Sequence, residues 1–355
     1  MAFVRLSSDH SVYTRGSTAI VVYVDDLLLF DISEDIIEQV KTELKGKFKM
    51  TDLGKANMFL GMRIQLDILE SGEWNYTISQ EHYIKRILDE YSIHYGAYLP
   101  LPASGYLKKN SDEGESTDIK RYQRAIGSLM YVMLATRPDI AFPISHVAQF
   151  ASNPSKEHWE AVLHILRYLH YTKQRKLHLN NPLLEDFATH GPSTVNQVFG
   201  FSDADWAGDS TDRRSISAYG FYFYRGLISW SAKKQPIVAT STLESEYIAA
   251  AHAAKQATWL RQFSSELGHP SLPVKLFMDN QGCIKVSTNA EDHKRTKHFD
   301  IRFHYLREQV AQNKIIPYYI STKRMAVDTL TKPLPLVKFT VGLGLLGVLN
   351  SEVEN

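Results

Sequence analysis

Four acidic residues stand where the sequence pattern places the ends of secondary-structure elements. Asp203 closes a β-rich run in FSDADWAGD, and Glu246 lies one turn into a long helical pattern in STLESEY. Asp279 ends another strand-like run in LFMDNQG, and Asp328 sits on a short helical segment in MAVDTLTKPL. Ligands of open sheets gather outside the carboxyl ends of strands, where Asp203 and Asp279 would both lie. Four clustered carboxylates cannot all stay ionised unaided, because like charges at close range raise each other's pKa. Hard divalent cations remove that penalty; Mg2+, with Mn2+ as its substitute, suits an all-oxygen site that also holds phosphate. Two such ions about 3.5–4 Å apart can activate a water and stabilise the leaving oxygen of an in-line phosphodiester displacement. Any one of these acids taken singly reads as a solvated or capping residue. Their placement on four separate elements is what points to a site. Asp205 and Asp209, in the same motif as Asp203, read as turn or surface residues.

A second pair of acids, Asp25 and Asp26, separates two β-rich runs, Ala19 to Val24 and Leu27 to Phe30. Adjacent acids on a tight hairpin can present carboxylate oxygens to a metal-bound triphosphate.

The elements that must carry these residues follow from hydrophobic period and capping chemistry. Beyond the first hairpin, Ser33 is a natural N-cap, with Glu34 and Asp35 suiting the first turn of a helix that ends near Gly46. Met58 to Leu66 and Trp74 to Ile78 flank Ser71-Gly72 and predict a second hairpin, and Ser79 is placed to cap a helix over Gln80 to Tyr91. Residues 96–117, rich in Pro, Gly, Ser and charge, read as a linker. Helical patterns follow at about 118–135, 139–151 and 155–172, the last with Trp159, Val162, Leu163, Leu166 and Leu169 on one face. A polar stretch over 180–197 marks the next boundary. Three strands (198–203, 218–224, 227–231), a helix (242–267), a strand (274–279), helices (281–289, 298–312), a strand (315–320) and a short helix (325–331) complete the pattern. Antiparallel strands followed by alternating helix and strand predict a mixed sheet flanked by helices. The expected division is 1–95, 96–197, 198–335 and a C-terminal tail, 336–355.

Composition bounds the function. The chain has 355 residues, of which 44% are hydrophobic and 22% charged, enough to bury a real core. A single cysteine, Cys283, excludes an internal disulfide framework and a multi-cysteine zinc site. The opening MAFVRLSSDH has no apolar signal core, and no run reaches the ~18 uncharged apolar residues of a membrane span. The expectation is an intracellular protein of cytoplasm or nucleus, neither secreted nor embedded. Forty Lys and Arg against 39 Asp and Glu speak, at first sight, against a nucleic-acid partner. The charge is unevenly spread, however: residues 201–335 hold 18 basic and 13 acidic side chains. With four acids cancelled by divalent ions, that segment is decidedly cationic.

GFSDADWAGDSTDRRSISAYGFYFYRGLISWSAKKQPIVATSTLESEYIAAA, FMDNQGCIKV, RTKHFDIRFHYLRE and MAVDTLTKPL together resemble the ribonuclease H domain of copia-type retrotransposon polyproteins. The resemblance implies a five-stranded mixed sheet with helices, two Mg2+ ions held by Asp203, Glu246, Asp279 and Asp328, and hydrolysis of the RNA strand of an RNA–DNA hybrid. AIVVYVDDLLLF resembles the active-site hairpin of the same elements' reverse transcriptase, which makes Asp25 and Asp26 metal ligands by implication. FKMTDLGKANMFLGMRI resembles its palm end and primer-grip region, and YTISQEHYIKRIL the entry to the thumb. YQRAIGSLMYVMLATRPDIAF and HWEAVLHILRYL resemble the connecting segment, so the likeness runs from about residue 12 to 335. The fold class implied is α+β with α/β character: a truncated palm, a helical thumb and connection, then the ribonuclease H sheet.

Other residues fit such a substrate. Lys233 and Lys234 precede the helix carrying Glu246, and Thr240, Ser241 and Thr242 lie at its N-terminus, where amides and hydroxyls can accept a phosphate. Asn280 and Gln281 beside Asp279 could hydrogen-bond the 2′-hydroxyl that distinguishes RNA from DNA. The His293–Arg324 stretch, with Lys294 and Arg295, holds eight basic and two acidic residues and reads as a backbone-tracking patch. His298 and His304 read as core or surface residues.

The function expected is Mg2+-dependent endonucleolytic cleavage of RNA in hybrids, with other parts of the polyprotein as further partners. The alternative is an inert remnant that still binds nucleic acid. A polymerase palm needs a further aspartate on an earlier strand, and Asp9 in SSDHSVY does not resemble it, so the expectation is no DNA synthesis by this chain alone. Primer extension on a primed RNA template checks that. A third reading, an active reverse transcriptase, would take the missing acid from another chain.

Overall fold

Two of the carboxylates of interest, Asp203 and Asp279, stand on or just after central strands of a five-stranded mixed sheet, and the helical middle of the chain packs on one of its faces. The computed structural model describes residues 3–68, 72–102, 106–110, 117–184, 197–209, 211–289 and 301–350. Its secondary structure is mixed α and β, as the sequence pattern predicts.

The N-terminal part is an antiparallel sheet of β1 (Val4–Arg5), β2 (Val12–Arg15), β3 (Thr18–Tyr23) and β4 (Asp26–Phe30), in sequence order. Helix α1 (Glu34–Lys45) follows, with the Ser33 hydroxyl accepting from the Ile36 amide as its sequence position predicts. A second antiparallel sheet joins β5 (Met58–Phe59), β6 (Met62–Ile68) and β7 (Trp74–Ser79) to β8 (Lys176–His178) and to β14 (Val348–Leu349), in the order β14-β8-β7-β6-β5. Ser79 ends β7 rather than capping the next helix. The N-cap of α2 (Glu81–Glu90) is Gln80, which makes no side-chain capping bond.

Helices α3 (Ile119–Ala135), α4 (Ala141–Ala148) and α5 (Lys156–Tyr171) form the helical middle. α3 and α5 start on side-chain caps, Asp118 to the amides of Lys120 and Arg121, and Ser155 to that of His158.

The mixed sheet follows: β9 (Phe199–Asp205), β10 (Ile216–Phe223), β11 (Gly226–Lys234), β12 (Val274–Met278) and β13 (Ile315–Tyr319), in the order β11-β10-β9-β12-β13. β10 is antiparallel to both its neighbours, whereas β9, β12 and β13 run parallel. Parallel strands need crossovers, which α6 (Thr242–Glu266), α7 (Gln281–Thr288) and α8 (Ile301–Ala311) supply. Every residue of β12 is buried, because both faces of the sheet are covered, and that is why it reads as a near-continuous apolar run. On one face Tyr219, Phe221, Leu276 and Met278 pack against the alanines of α6. On the other, Phe199, Phe201, Tyr222 and Phe277 share a core with α2 to α5. One continuous core therefore ties the helical middle to the mixed sheet.

The segment after residue 331 is ordered structure that the sequence pattern did not signal. Leu336–Leu346 forms α9, which buries Phe339, Leu343 and Leu346 and closes on Gly347 in the left-handed conformation. β14 then pairs with β8, so the chain's last described strand belongs to the second sheet.

Candidate active site

Asp203 is on β9, the central strand, with its side chain 3% exposed. Asp279 follows the last residue of β12, the parallel neighbour of β9. Glu246 is on the second turn of α6, which packs across β9. Carboxylate oxygens from these three residues all lie within 4.8 Å of one another. Among the described residues, no other three His, Cys, Asp or Glu side chains converge in this way.

Burial is the main cause that raises the pKa of Asp203, Glu246 and Asp279. The charge of Asp328 adds to it at Asp203, those of Asp203 and Asp279 at Glu246, and that of Asp203 at Asp279, while Lys332 opposes the rise at all three. Hydroxyls hold two of them: Thr331 donates to Asp203 Oδ2 at 2.7 Å and Thr322 to Asp279 Oδ2 at 2.7 Å. Both bonds favour the ionised form, as does the Ala204 backbone beside Glu246. Three carboxylates this close, two of them buried and Asp279 half-buried, are a costly arrangement that the single Lys332 charge does not balance. A hard divalent cation fits it, since every donor is a carboxylate oxygen.

Asp328, the fourth acid, stands at the edge of this group on a 3-10 turn, Ala326–Leu330. It is held by Lys332, whose ammonium lies 2.9 Å from Asp328 Oδ1 and 3.9 Å from Asp203 Oδ2. Burial works against the Lys332 charge, but the Asp203 and Asp328 carboxylates outweigh it and lift its pKa above the ordinary lysine value.

The copia resemblance implies a set of four acids; the structure brings three of them together and sets the fourth, Asp328, against Lys332. Comparison with known proteins bears on the family. Residues 1–103 match the family described as reverse transcriptase (RNA-dependent DNA polymerase). The chain is 37% identical over 361 residues to the retrovirus-related Pol polyprotein from transposon TNT 1-94 of Nicotiana tabacum, covering 98% of this chain and 26% of that protein. It is 30% identical over 260 residues to the putative transposon Ty5-1 protein of Saccharomyces cerevisiae, covering 70% of this chain and 78% of that protein. The chain belongs to the copia-type retrotransposon Pol family. It spans about a quarter of the length of the Pol polyproteins it matches. Among solved structures, a foamy viral protease-reverse transcriptase in complex with RNA/DNA hybrid shares 15% identity at a TM-score of 0.48, over 89% of this chain and 37% of that one. At that score the likeness adds nothing to the assignment.

Elsewhere in this Pol chain, Asp25 and Asp26 occupy the hairpin that the sequence predicts. Tyr23 pairs with Asp26 across the turn, and both acids are exposed. Val24 takes a φ of 52° there, a left-handed conformation that is unusual for a β-branched residue. Such strain persists where the surroundings over-determine the backbone.

The residues expected to contact nucleic acid are placed unevenly. Lys233 is exposed on β11, but Lys234 is engaged by Asp209 at 2.8 Å, Asp212 at 2.9 Å and Gln149 at 2.7 Å. Asp209 is accordingly buried rather than on the surface. Asp205 accepts a short hydrogen bond from the Tyr106 hydroxyl, a contact between the helical middle and the sheet. Ser241 caps α6 by accepting from the Glu244 amide, and Asn280 caps α7 by accepting from that of Cys283. Gln281 and His304 are exposed. Lys294, Arg295 and His298 lie outside the described residues.

Sequence reasoning missed Thr322, Thr331 and Lys332. Only Lys332 carried a signal, a cation four positions after Asp328, at helical spacing.

Among the described residues, no helix is long and apolar enough to cross a membrane.

Proposed function

We propose that this Pol chain hydrolyses the RNA strand of RNA–DNA hybrids at the carboxylate cluster of its mixed sheet. The observation that carries the reading is the convergence of Asp203 from within β9, Asp279 from just after β12 and Glu246 from a helix, within 4.8 Å. On this reading the three residues hold a divalent cation, Mg2+ or Mn2+, with Asp328 beside them to complete a second position. Bound there, the ions would supply the charge that activates a water and stabilises the leaving oxygen. The protein's own part is preorganisation: Thr331 and Thr322 fix the orientation of Asp203 and Asp279 before substrate arrives. Lys233, at the exposed end of β11, is placed to meet a phosphate backbone. The surrounding Pol family makes a nucleic-acid substrate the natural partner.

The decisive experiment incubates end-labelled RNA–DNA hybrid with the purified chain, with and without Mg2+. Cleavage of the RNA strand in Mg2+, lost in Asp279→Asn while the circular dichroism spectrum stays unchanged, is expected. Binding without cleavage would overturn this reading in favour of a nucleic-acid-binding remnant.

A further inference from the structure

The four acids do not stand alike. Three share oxygens within 4.8 Å, while the fourth, Asp328, faces an ammonium at 2.9 Å. Lys332 also lies 3.9 Å from Asp203 Oδ2, so one cation spans the carboxylates on that side of the cluster.

The backbone delivers the ammonium there. Thr331, the residue before it, donates its hydroxyl to Asp203 Oδ2 at 2.7 Å and its amide to the Asp328 carbonyl at 3.2 Å. The turn is thus fastened on both sides of the cluster. The Lys332 side chain nevertheless keeps 31% of its surface open, which leaves it a route to solvent. A fixed positive charge beside a carboxylate repels a divalent ion approaching the same oxygens, and burial strengthens that repulsion.

We propose that Lys332 is a built-in counter-cation that holds the Asp328 side of the site closed in the free chain. The chain then takes up one divalent ion tightly, at Asp203, Glu246 and Asp279, and a second only once Lys332 has left Asp328. Lys332 is a positioning residue on this view, and the inference rests on the metal-site reading above. A purely architectural lysine, pinning the turn before α9, would not alter the number of ions bound.

Titration of the full chain with Mn2+ alone, followed by calorimetry and by the paramagnetic signal of free Mn2+, tests this without reference to activity. Wild type should bind one ion tightly and a second at least ten-fold more weakly. Lys332→Gln should tighten the second ion at least ten-fold, and Lys332→Arg, which keeps the charge, should retain the wild-type pattern. Equal affinities in wild type and Lys332→Gln, or two equally tight ions in wild type, overturn the inference. Should Lys332→Gln not fold, Asp328→Asn decides. Loss of the weak ion with the tight one unchanged supports the inference, and a ten-fold loss at the tight ion overturns it. Asp279→Asn separates the two levels of argument. If that variant keeps the tight ion, the metal-site reading itself fails, whatever Lys332 does.

Discussion

Thr331 donates its hydroxyl to Asp203, Oγ1 to Oδ2 2.7 Å, across 128 positions of sequence. Both residues are buried, so no water stands ready to replace the bond. It also couples the central strand to the segment that carries Asp328 and Lys332. Hydrogen bonds to charged groups contribute about 1.5–3 kcal/mol, and a buried acceptor left unsatisfied costs about as much. Thr331→Val preserves the shape and removes only the donor. Its urea midpoint should correspond to a loss of about 2 kcal/mol in metal-free buffer. A midpoint equal to wild type would show that Asp203 does not depend on this hydroxyl.

The short turn bearing Asp328 is braced from behind by α9. A Cβ on Gly342 would lie 2.2 Å from Cγ2 of the buried Thr329. Overpacking of this kind costs roughly 1–3 kcal/mol. Gly344 in the same helix meets only Leu183 Cδ1, at 3.1 Å, and Leu183 is exposed and can give way. Gly344→Ala should therefore be neutral or gain up to about 1 kcal/mol from helix propensity, whereas Gly342→Ala should lower the thermal midpoint. Similar midpoints for the two variants would refute the brace.

How much of this was legible in the sequence depended on the range of the interaction. Asp203, Glu246 and Asp279 could be found because strand ends and a helix start are local patterns, and the topology of a mixed sheet then brings them together. The YVDD turn and the cap at Ser33 were local in the same way. Lys234 misled the reading because its charge looks free in KKQP, and only folding sets it against Asp209 and Asp212. Thr331 and Thr322 could not be found at all, since a threonine carries no mark of the carboxylate it meets 128 or 43 residues away. α9 was invisible for another reason: only Phe339, Gly342, Leu343 and Leu346 are buried, but the exposed face also carries apolar Leu336, Val337 and Val341, so the run shows no amphipathic stripe.

The junction of α3 and α4 is fixed by an ion pair with no exposed surface. Arg137 donates Nε to Asp139 Oδ1 at 2.9 Å and a terminal nitrogen to Oδ2 at 2.7 Å, and its remaining donors reach the carbonyl and hydroxyl of Thr172. Burial works against the Asp139 charge, but Arg137 prevails and its pKa is lowered. Breaking such a pair strands one buried charge and costs about 3–5 kcal/mol, while replacing both partners by apolar groups costs far less. Arg137→Met should lose about 4 kcal/mol, and Arg137→Met with Asp139→Leu should recover at least half of it. Additive losses in that double-mutant cycle would count against the pair acting as a unit.

His146 gives the fold a pH limit that can be measured. Its Nε2 accepts the Leu107 amide at 2.9 Å, so the ring is neutral, and it stacks on Phe142. Burial depresses its pKa to about 4; Asp209 opposes the shift, while Lys234 and His158 reinforce it. An unfolded histidine takes up its proton near pH 6.5, so between that value and the folded one the unfolded chain binds more protons. The stabilisation is therefore complete above about pH 6.5 and is lost as pH falls towards 4. From pH 7 to pH 4.5 the loss from this one group is about 2 kcal/mol. His146→Gln keeps an acceptor for Leu107 but cannot titrate. Its stability should fall less steeply over the same interval, by about those 2 kcal/mol, even if it starts lower through lost ring packing. Urea unfolding of both proteins at several pH values checks this, and parallel curves for the two would show that His146 does not set the acid limit.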